Sequence, residues 1–105
     1  MALKLQPNPT FTARVELSVP GSDKPAKVGI TFKHLARPKI KDYFGNLEGK
    51  NDAEALAEII TDWEDIDGKY SEDALRELLD NYPAAGGELF EAFRKNLLES
   101  RTKNL

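Results

Sequence analysis

The sequence predicts a single α+β domain, in which an N-terminal antiparallel β-hairpin is followed by a bundle of about four α-helices. Up to about residue 34 the apolar residues alternate with polar ones, which is the period of a strand; from about residue 37 they recur at the spacing of three and four residues that a helix requires. Strands that precede helices, rather than alternate with them, are typical of α+β domains. We therefore expect one domain over residues 1–105, with a hairpin at 11–34, a helical region at 37–99 and a polar tail at 100–105.

The first strand is predicted from Phe11 to Val19, where apolar residues occupy every second position. A second alternation over residues 28–32 predicts the returning strand, and the loop at 20–25, which contains Pro, Gly, Ser and Asp, predicts the turn between the two strands. An isolated hairpin is only marginally stable in water, so its apolar face must be covered by the rest of the chain.

The first two helices follow from capping signals and apolar stripes. Pro38 suits the first turn of a helix, because its missing N–H has no partner there, and Gly49 is expected to end that helix. Asn51 and Glu54 have the spacing of a capping box, which predicts the start of the second helix. The apolar stripe of this second helix is formed by Leu56, Ile59, Ile60 and Trp63.

The last two helices are separated by a proline. Ser71 is the expected N-cap of the third helix, and Pro83 ends it. The fourth helix starts either at Pro83 or at Glu88. Its apolar stripe consists of Leu89, Phe90, Phe93, Leu97 and Leu98.

The net charge of −3 is unevenly distributed along the chain. Residues 1–42 carry eight Lys or Arg against three Asp or Glu, a net charge of +5; residues 43–80 carry three against twelve, −9; residues 81–105 carry four against three, +1. An acidic middle repels phosphates, so we expect no nucleic-acid partner. The acidic segment is either a solvated helical surface or a face that meets a basic partner.

The residues offer no constellation for catalysis or metal binding, so we expect no enzyme and no cofactor. The chain has no cysteine, which excludes disulfides and thiol chemistry, and His34 is its single histidine. The sequence from Asp65 to Gly68 resembles part of a calcium loop, but the position that requires a bidentate Glu is Ala74. We also expect no export signal and no membrane span, because the necessary apolar runs do not occur.

Surfaces for protein partners remain. The stripe on the last helix is either core or a groove for an amphipathic segment of another protein. The alternation of Met1, Leu3 and Leu5 ahead of the strands predicts either a disordered lead or an extra strand that pairs with a neighbour. Together with the edges of the hairpin, such a strand offers a route to homo-oligomers by strand pairing. The candidate partner-binding residues combine the acidic middle with the C-terminal helix: Glu54, Glu58, Asp62, Glu64, Asp65, Asp67, Phe90, Phe93, Arg94 and Leu97.

Several segments carry a family resemblance: residues 5–11 leading into the hairpin, the turn at 19–21, the return strand ending at 31–34, and the segments 60–63, 78–83 and 90–104. With these segments the chain resembles the tail assembly chaperones of long-tailed bacteriophages over nearly its whole length. The resemblance implies a non-enzymatic protein of the host cytoplasm that binds the tape-measure protein, keeps it soluble, helps to recruit tail-tube subunits and is absent from the mature virion. The alternatives are a structural tail or head-completion protein retained in the virion, and a generic small adaptor.

Overall fold

The computed structural model describes residues 2–99; Met1 and the polar tail predicted at 100–105 lie outside the described residues. It contains a three-stranded antiparallel sheet and four helices, which confirms the α+β class. The elements in chain order are β1 (Thr10–Leu17), β2 (Ala26–Lys33), α1 (Arg37–Gly45), α2 (Asp52–Ala57), β3 (Ile60–Glu64), α3 (Glu72–Asn81) and α4 (Ala85–Leu98).

The first two strands form the predicted hairpin. Thr10 pairs with Lys33 and Leu17 pairs with Ala26, so that the eight residues of each strand are in continuous antiparallel register. Alternate side chains of β1 are buried, as the spacing of two requires. The turn uses Gly21 with a φ of 82°, a backbone conformation that glycine adopts without steric cost.

A third strand interrupts the region predicted to be helical. The expectation of helices alone over residues 37–99 is wrong at β3, which pairs antiparallel with β2. The second helix is correspondingly shorter than the stripe suggests, because α2 ends at Ala57 and Ile60 already belongs to the strand. The segment is rich in β-branched and aromatic residues, which fit a half-buried sheet better than a helix.

A β-bulge explains why this strand has the apolar spacing of a helix. Ile60 pairs with Phe32, whereas Trp63 pairs with Ile30, so three steps along β3 correspond to two steps along β2. Residues three positions apart on a regular strand face opposite sides of the sheet. The extra residue of the bulge shifts this alternation by one, so residues three apart across the bulge face the same side. Ile60 and Trp63 therefore both face the core, with 2% and 9% of their surfaces exposed.

The helix starts agree with their sequence signals. Pro38 lies in the first turn of α1. The Asn51 side chain accepts a hydrogen bond from the backbone N–H of Glu54 at 2.8 Å, and the Glu54 carboxylate accepts one from the backbone N–H of Asn51 at 3.1 Å, which completes the predicted capping box. Ser71 caps α3 by accepting from the N–H of Ala74 at 3.0 Å.

The helix ends and the last helix start differ from the sequence signals. The first helix ends at Gly45 rather than at Gly49, and the backbone N–H of Asn46 closes it by donating to the carbonyl of Asp42 at 3.1 Å. Gly49, with a φ of 85°, belongs to the turn before α2. The last helix begins at Ala85, between the two starts that the sequence allows.

Only one edge of the predicted hairpin is a sheet edge, because β2 lies between β1 and β3. Just beyond β1, the backbone N–H of Ser18 donates to Glu88 Oε1 of α4 at 2.9 Å, which ties the last helix to the end of this strand. The described residues ahead of Thr10 form no strand, and Leu3 and Leu5 are exposed there.

The side chain of Phe93 occupies the centre of the core, where it is fully buried. Its ring centroid lies 5.3 Å from that of Phe32 and 6.3 Å from that of Phe11, which are on the two hairpin strands. The ring centroids of Tyr43 and Phe44 on α1 lie 6.0 and 6.3 Å from that of Phe93. One side chain of the last helix is thus close to rings from β1, β2 and α1.

We predict that Phe93→Ala destabilises the protein by about 3–5 kcal/mol, because a large buried ring is replaced by a cavity. Urea unfolding followed by circular dichroism measures this change. Leu98→Ala, on the same helix but at a half-exposed side chain, is the matched control and should change stability by less than about 1 kcal/mol. Equal effects of the two substitutions would contradict a core centred on Phe93.

We also predict that Asn51→Ala destabilises the protein by about 1 kcal/mol, because the N-terminal N–H groups of a short helix lose their cap. Asn51→Ser is the control, since serine is an equally good N-cap, and it should retain most of the stability. The same unfolding measurement tests both variants. Equal stability of the alanine and serine variants would show that the cap contributes nothing.

Candidate functional site

The C-terminal helix contributes less to the surface than the sequence suggests. Phe93 belongs to the core, so it is not available to a partner in the folded chain. Phe90 and Leu97 are half-buried and pack against the same core. The structure therefore supports the interpretation of this stripe as part of the core, rather than as a groove for a segment of another protein.

The charge of Arg94 is neutralised within its own part of the chain. Its guanidinium donates to Glu91 Oε2 at 2.8 Å and to Glu99 Oε2 at 2.9 Å. The hydrogen bond from Arg94, together with its positive charge, holds the pKa of Glu91 below its usual value. Arg94 is thus a member of a local ion-pair network at the C-terminal end of α4.

Two of the candidate acidic residues have structural roles at α2. Glu54 completes the capping box described above. Glu58 forms an ion pair with Lys50, which lies in the turn before the helix. Both side chains remain exposed to solvent, so they contribute negative potential to this surface in addition to their local contacts.

The next acidic residues lie on the outer face of the sheet and at its end. Asp62 and Glu64 are exposed positions of β3. Arg14 of β1 reaches over the central strand to Glu64 Oε2 at 3.4 Å and to Asp65 Oδ2 at 3.0 Å. The contact is sterically allowed because Gly29 lies opposite both Arg14 and Glu64 in the register.

Gly29 is a position whose structural role the sequence analysis overlooked. A Cβ atom at this position would lie 2.6 Å from Glu64 Cγ, so any side chain would displace the bridge between the two edge strands. The sequence contained a signal for this role, because a glycine in the middle of an alternating strand often marks a site that another part of the chain or a ligand approaches closely.

An apolar groove of about 330 Å³ opens between the loop end of the hairpin, the segment that follows β3, and α3. Asp65, Asp67 and Glu77 contribute carboxylates to its lining. The structure therefore brings two of the candidate acidic residues, Asp65 and Asp67, to one cavity. The apolar lining residues are Leu17, Val19, Ala26, Val28, Trp63, Ile66, Ala74, Leu78 and Tyr82.

Trp63 positions the loop that carries these two carboxylates. Its indole N–H donates to the carbonyl of Gly68 at 2.9 Å, and its ring meets that of Tyr70 edge to face with the centroids 5.1 Å apart. Asp65 has a φ of 65°, which turns the chain sharply out of β3. The loop that carries Asp65 and Asp67 is therefore held to the core through Trp63.

The lining of this groove combines apolar side chains with a few carboxylates. Apolar side chains that surround a few carboxylates can hold an apolar segment with neighbouring cations. Within residues 2–99, no group of three or more His, Asp or Glu side chains is arranged to hold a metal ion. In the same range, every helix is too short or too polar to span a lipid bilayer.

The comparison with protein families gave one match over almost the entire sequence. A family model described as phage tail assembly chaperone matches residues 1–104. Searches of the curated proteins and of the solved structures found no match. Because the matched segment includes every strand and helix described above, the chain belongs to the phage tail assembly chaperone family.

Proposed function

We propose that this protein binds the tape-measure protein of its phage, keeps it soluble and helps to recruit tail-tube subunits around it. The observation that carries the proposal is the match to the tail assembly chaperone family over residues 1–104. The protein acts in the host cytoplasm by binding rather than by catalysis, and it is absent from the mature virion.

The distribution of charge supports this function. The segment 43–80, with its net charge of −9, supplies exposed carboxylates on α2, on the outer face of β3 and in the following loop. Surface charges of one sign accelerate the encounter with an oppositely charged partner and add little permanent affinity. An assembly chaperone needs this combination, because it has to capture its partner quickly and release it later.

We predict that co-expression with this protein moves the tape-measure protein of the same phage from the pellet to the soluble fraction of a cell lysate. The partner is long and exposes apolar segments before assembly, and a bound chaperone covers them. Co-expression with an unrelated acidic protein of similar size is the control. Equal pelleting in both cases would remove the basis of the proposal.

We further predict that neutralising the acidic surface weakens capture of the tape-measure protein. The triple variant Glu54→Gln, Glu58→Gln and Asp62→Asn removes three negative charges and keeps the capping box, in which Gln can replace Glu. The rate at which the immobilised protein captures the partner at low salt, followed by surface-based binding kinetics, should fall roughly tenfold, and the remaining rate should depend less on salt.

The matched control for this variant changes the net charge by the same amount outside the acidic segment. Glu16→Gln, Asp23→Asn and Asp42→Asn are substitutions at exposed residues of the N-terminal part. This control should capture the partner nearly as well as the unmodified protein. If capture drops equally in both triple variants, the effect is due to net charge alone. If the first variant captures the partner as well as the unmodified protein does, its three carboxylates do not meet the partner.

A further inference from the structure

The outer edge of β1 is a sheet edge, and among residues 2–99 no further strand pairs with it. Backbone hydrogen bonds between two antiparallel strands involve alternate residues. The N–H of His34 donates to the carbonyl of Pro9 at 2.9 Å, one step beyond the hairpin register, so the odd-numbered residues of β1 bond to β2. The backbone N–H and C=O groups of Thr12, Arg14 and Glu16 therefore point outward, away from β2.

The helix α4 runs beside this edge and leaves an open space along it, which we call the edge trough. Its volume of about 630 Å³ is within the range of binding pockets. Arg14, Val15 and Glu16 line it from β1. The residues that line it from α4 recur mostly at spacings of three and four, which places them on one side of the helix: Gly87, Glu88, Glu91, Ala92, Lys95, Asn96 and Glu99.

The fold already uses one backbone group of this edge for a hydrogen bond. Ser18 is the next residue whose N–H points outward, and it donates to Glu88 Oε1 at 2.9 Å, which closes one end of the edge trough. The edge is about 20 Å long from Thr12 to Ser18, and the side of α4 is about 16 Å long from Glu88 to Glu99. These lengths suit an extended segment of about five residues.

The opposite edge of the sheet is protected at its centre. The backbone N–H of Trp63 on β3 donates to Oδ1 of Asp62 at 2.9 Å, so a side chain of the same strand already occupies this donor. Proteins usually cover or block exposed strand edges, because such edges pair readily with other chains. An edge that stays open beside a trough has the geometry for adding a strand from a partner.

The lining of the edge trough carries a surplus of negative charge. It contains four carboxylates against one guanidinium and one ammonium group: Glu16, Glu88, Glu91 and Glu99 against Arg14 and Lys95. Ion-pair partners outside the lining do not remove this surplus, because Arg94 adds one positive charge whereas Glu64 and Asp65 add two negative ones. A segment with Lys or Arg is therefore electrostatically complementary to this site.

We propose that the edge trough binds an extended, basic segment of another protein, which adds to the sheet as a fourth strand antiparallel to β1. An antiparallel pair continues the pattern of the sheet and is slightly more stable per residue than a parallel pair. Every second residue of the added strand bonds to β1 and has its side chain on the outer face. The residues between them place their Lys or Arg side chains over α4, where three of the four carboxylates lie.

A synthetic peptide tests this proposal with the full-length protein. The peptide has acetylated and amidated ends and alternates threonine with lysine over about six residues. In a nuclear magnetic resonance titration it should shift the amide resonances of Thr12, Arg14 and Glu16, with a Kd of about 1 mM or lower. The same peptide with glutamate in place of lysine should bind at least about tenfold more weakly.

Methylation of the peptide backbone separates strand addition from attraction between charges. In the proposed arrangement the N–H groups of the threonines bond to β1, and those of the lysines point to solvent. N-methylation of the threonines should therefore weaken binding at least about tenfold relative to N-methylation of the lysines, because it removes donors that the edge uses. Both methylated peptides have the same charge and the same number of methyl groups.

A variant of the protein removes one outward donor. Thr12→Pro eliminates the backbone N–H that points away from β2, and proline is tolerated on edge strands in this orientation. Thr12→Ala is the matched control, since it loses the same side chain and keeps the N–H. The proline variant should bind the lysine peptide about threefold to tenfold more weakly than the alanine variant, with the fold of both verified by circular dichroism.

Hydrogen exchange of the free protein distinguishes the other possible occupants of the edge. The N–H groups of Thr12, Arg14 and Glu16 should exchange rapidly with solvent before the peptide is added and more slowly afterwards. Slow exchange in the free protein overturns the proposal. If dilution removes that protection, a second copy occupies the edge; if deletion of residues 100–105 removes it, the end of the same chain does.

The proposal is also overturned if the lysine peptide leaves the three amide resonances unchanged, or if the glutamate peptide binds as well. The same holds if the threonine-methylated peptide binds no more weakly than the lysine-methylated one, or if the proline variant binds as well as the alanine variant. All these measurements are made without the tape-measure protein, so failure here is distinguishable from failure of the proposed function.

Discussion

The contact between the rings of Phe93 and Phe32 joins the last helix to the central strand, and the other elements are arranged around it. Phe11 and Tyr43 pack against the same Phe93 ring, so β1 and α1 share this anchor. With no cysteine in the chain, such packing has to supply the stability that disulfides give to other small domains. One face of the sheet is therefore committed to the core, and its outer face is left to polar side chains.

Local signals in the sequence were sufficient for the hairpin and for the starts of three helices, because alternation and capping depend on residues close together in the chain. The third strand was missed because its bulge places Ile60 and Trp63 on one side at the spacing of a helix. The phase of a strand is set by its partner, in this case β2, which is about thirty residues away. Sequence periodicity alone could not distinguish these two structures.

The candidate site was predicted in part for a similar reason. Composition located the acidic segment, but the structure divides its members among a helix cap, an ion pair with Lys50, a bridge to Arg14 and the rim of a groove. The residues that line the groove come from the hairpin, β3, the loop after β3 and α3. No short sequence motif could therefore predict the groove. Membership of the phage tail assembly chaperone family associates the chain with protein partners in tail assembly.

The position of Trp63 makes the groove optically observable. It is the single tryptophan of the chain, and its side chain both lines the groove and holds the rim loop through Gly68. Indole emission depends on the polarity of its surroundings, so an aliphatic side chain that displaces water from the groove changes the fluorescence of this one residue. The protein thus contains an intrinsic probe that reports on occupancy of the groove without a label.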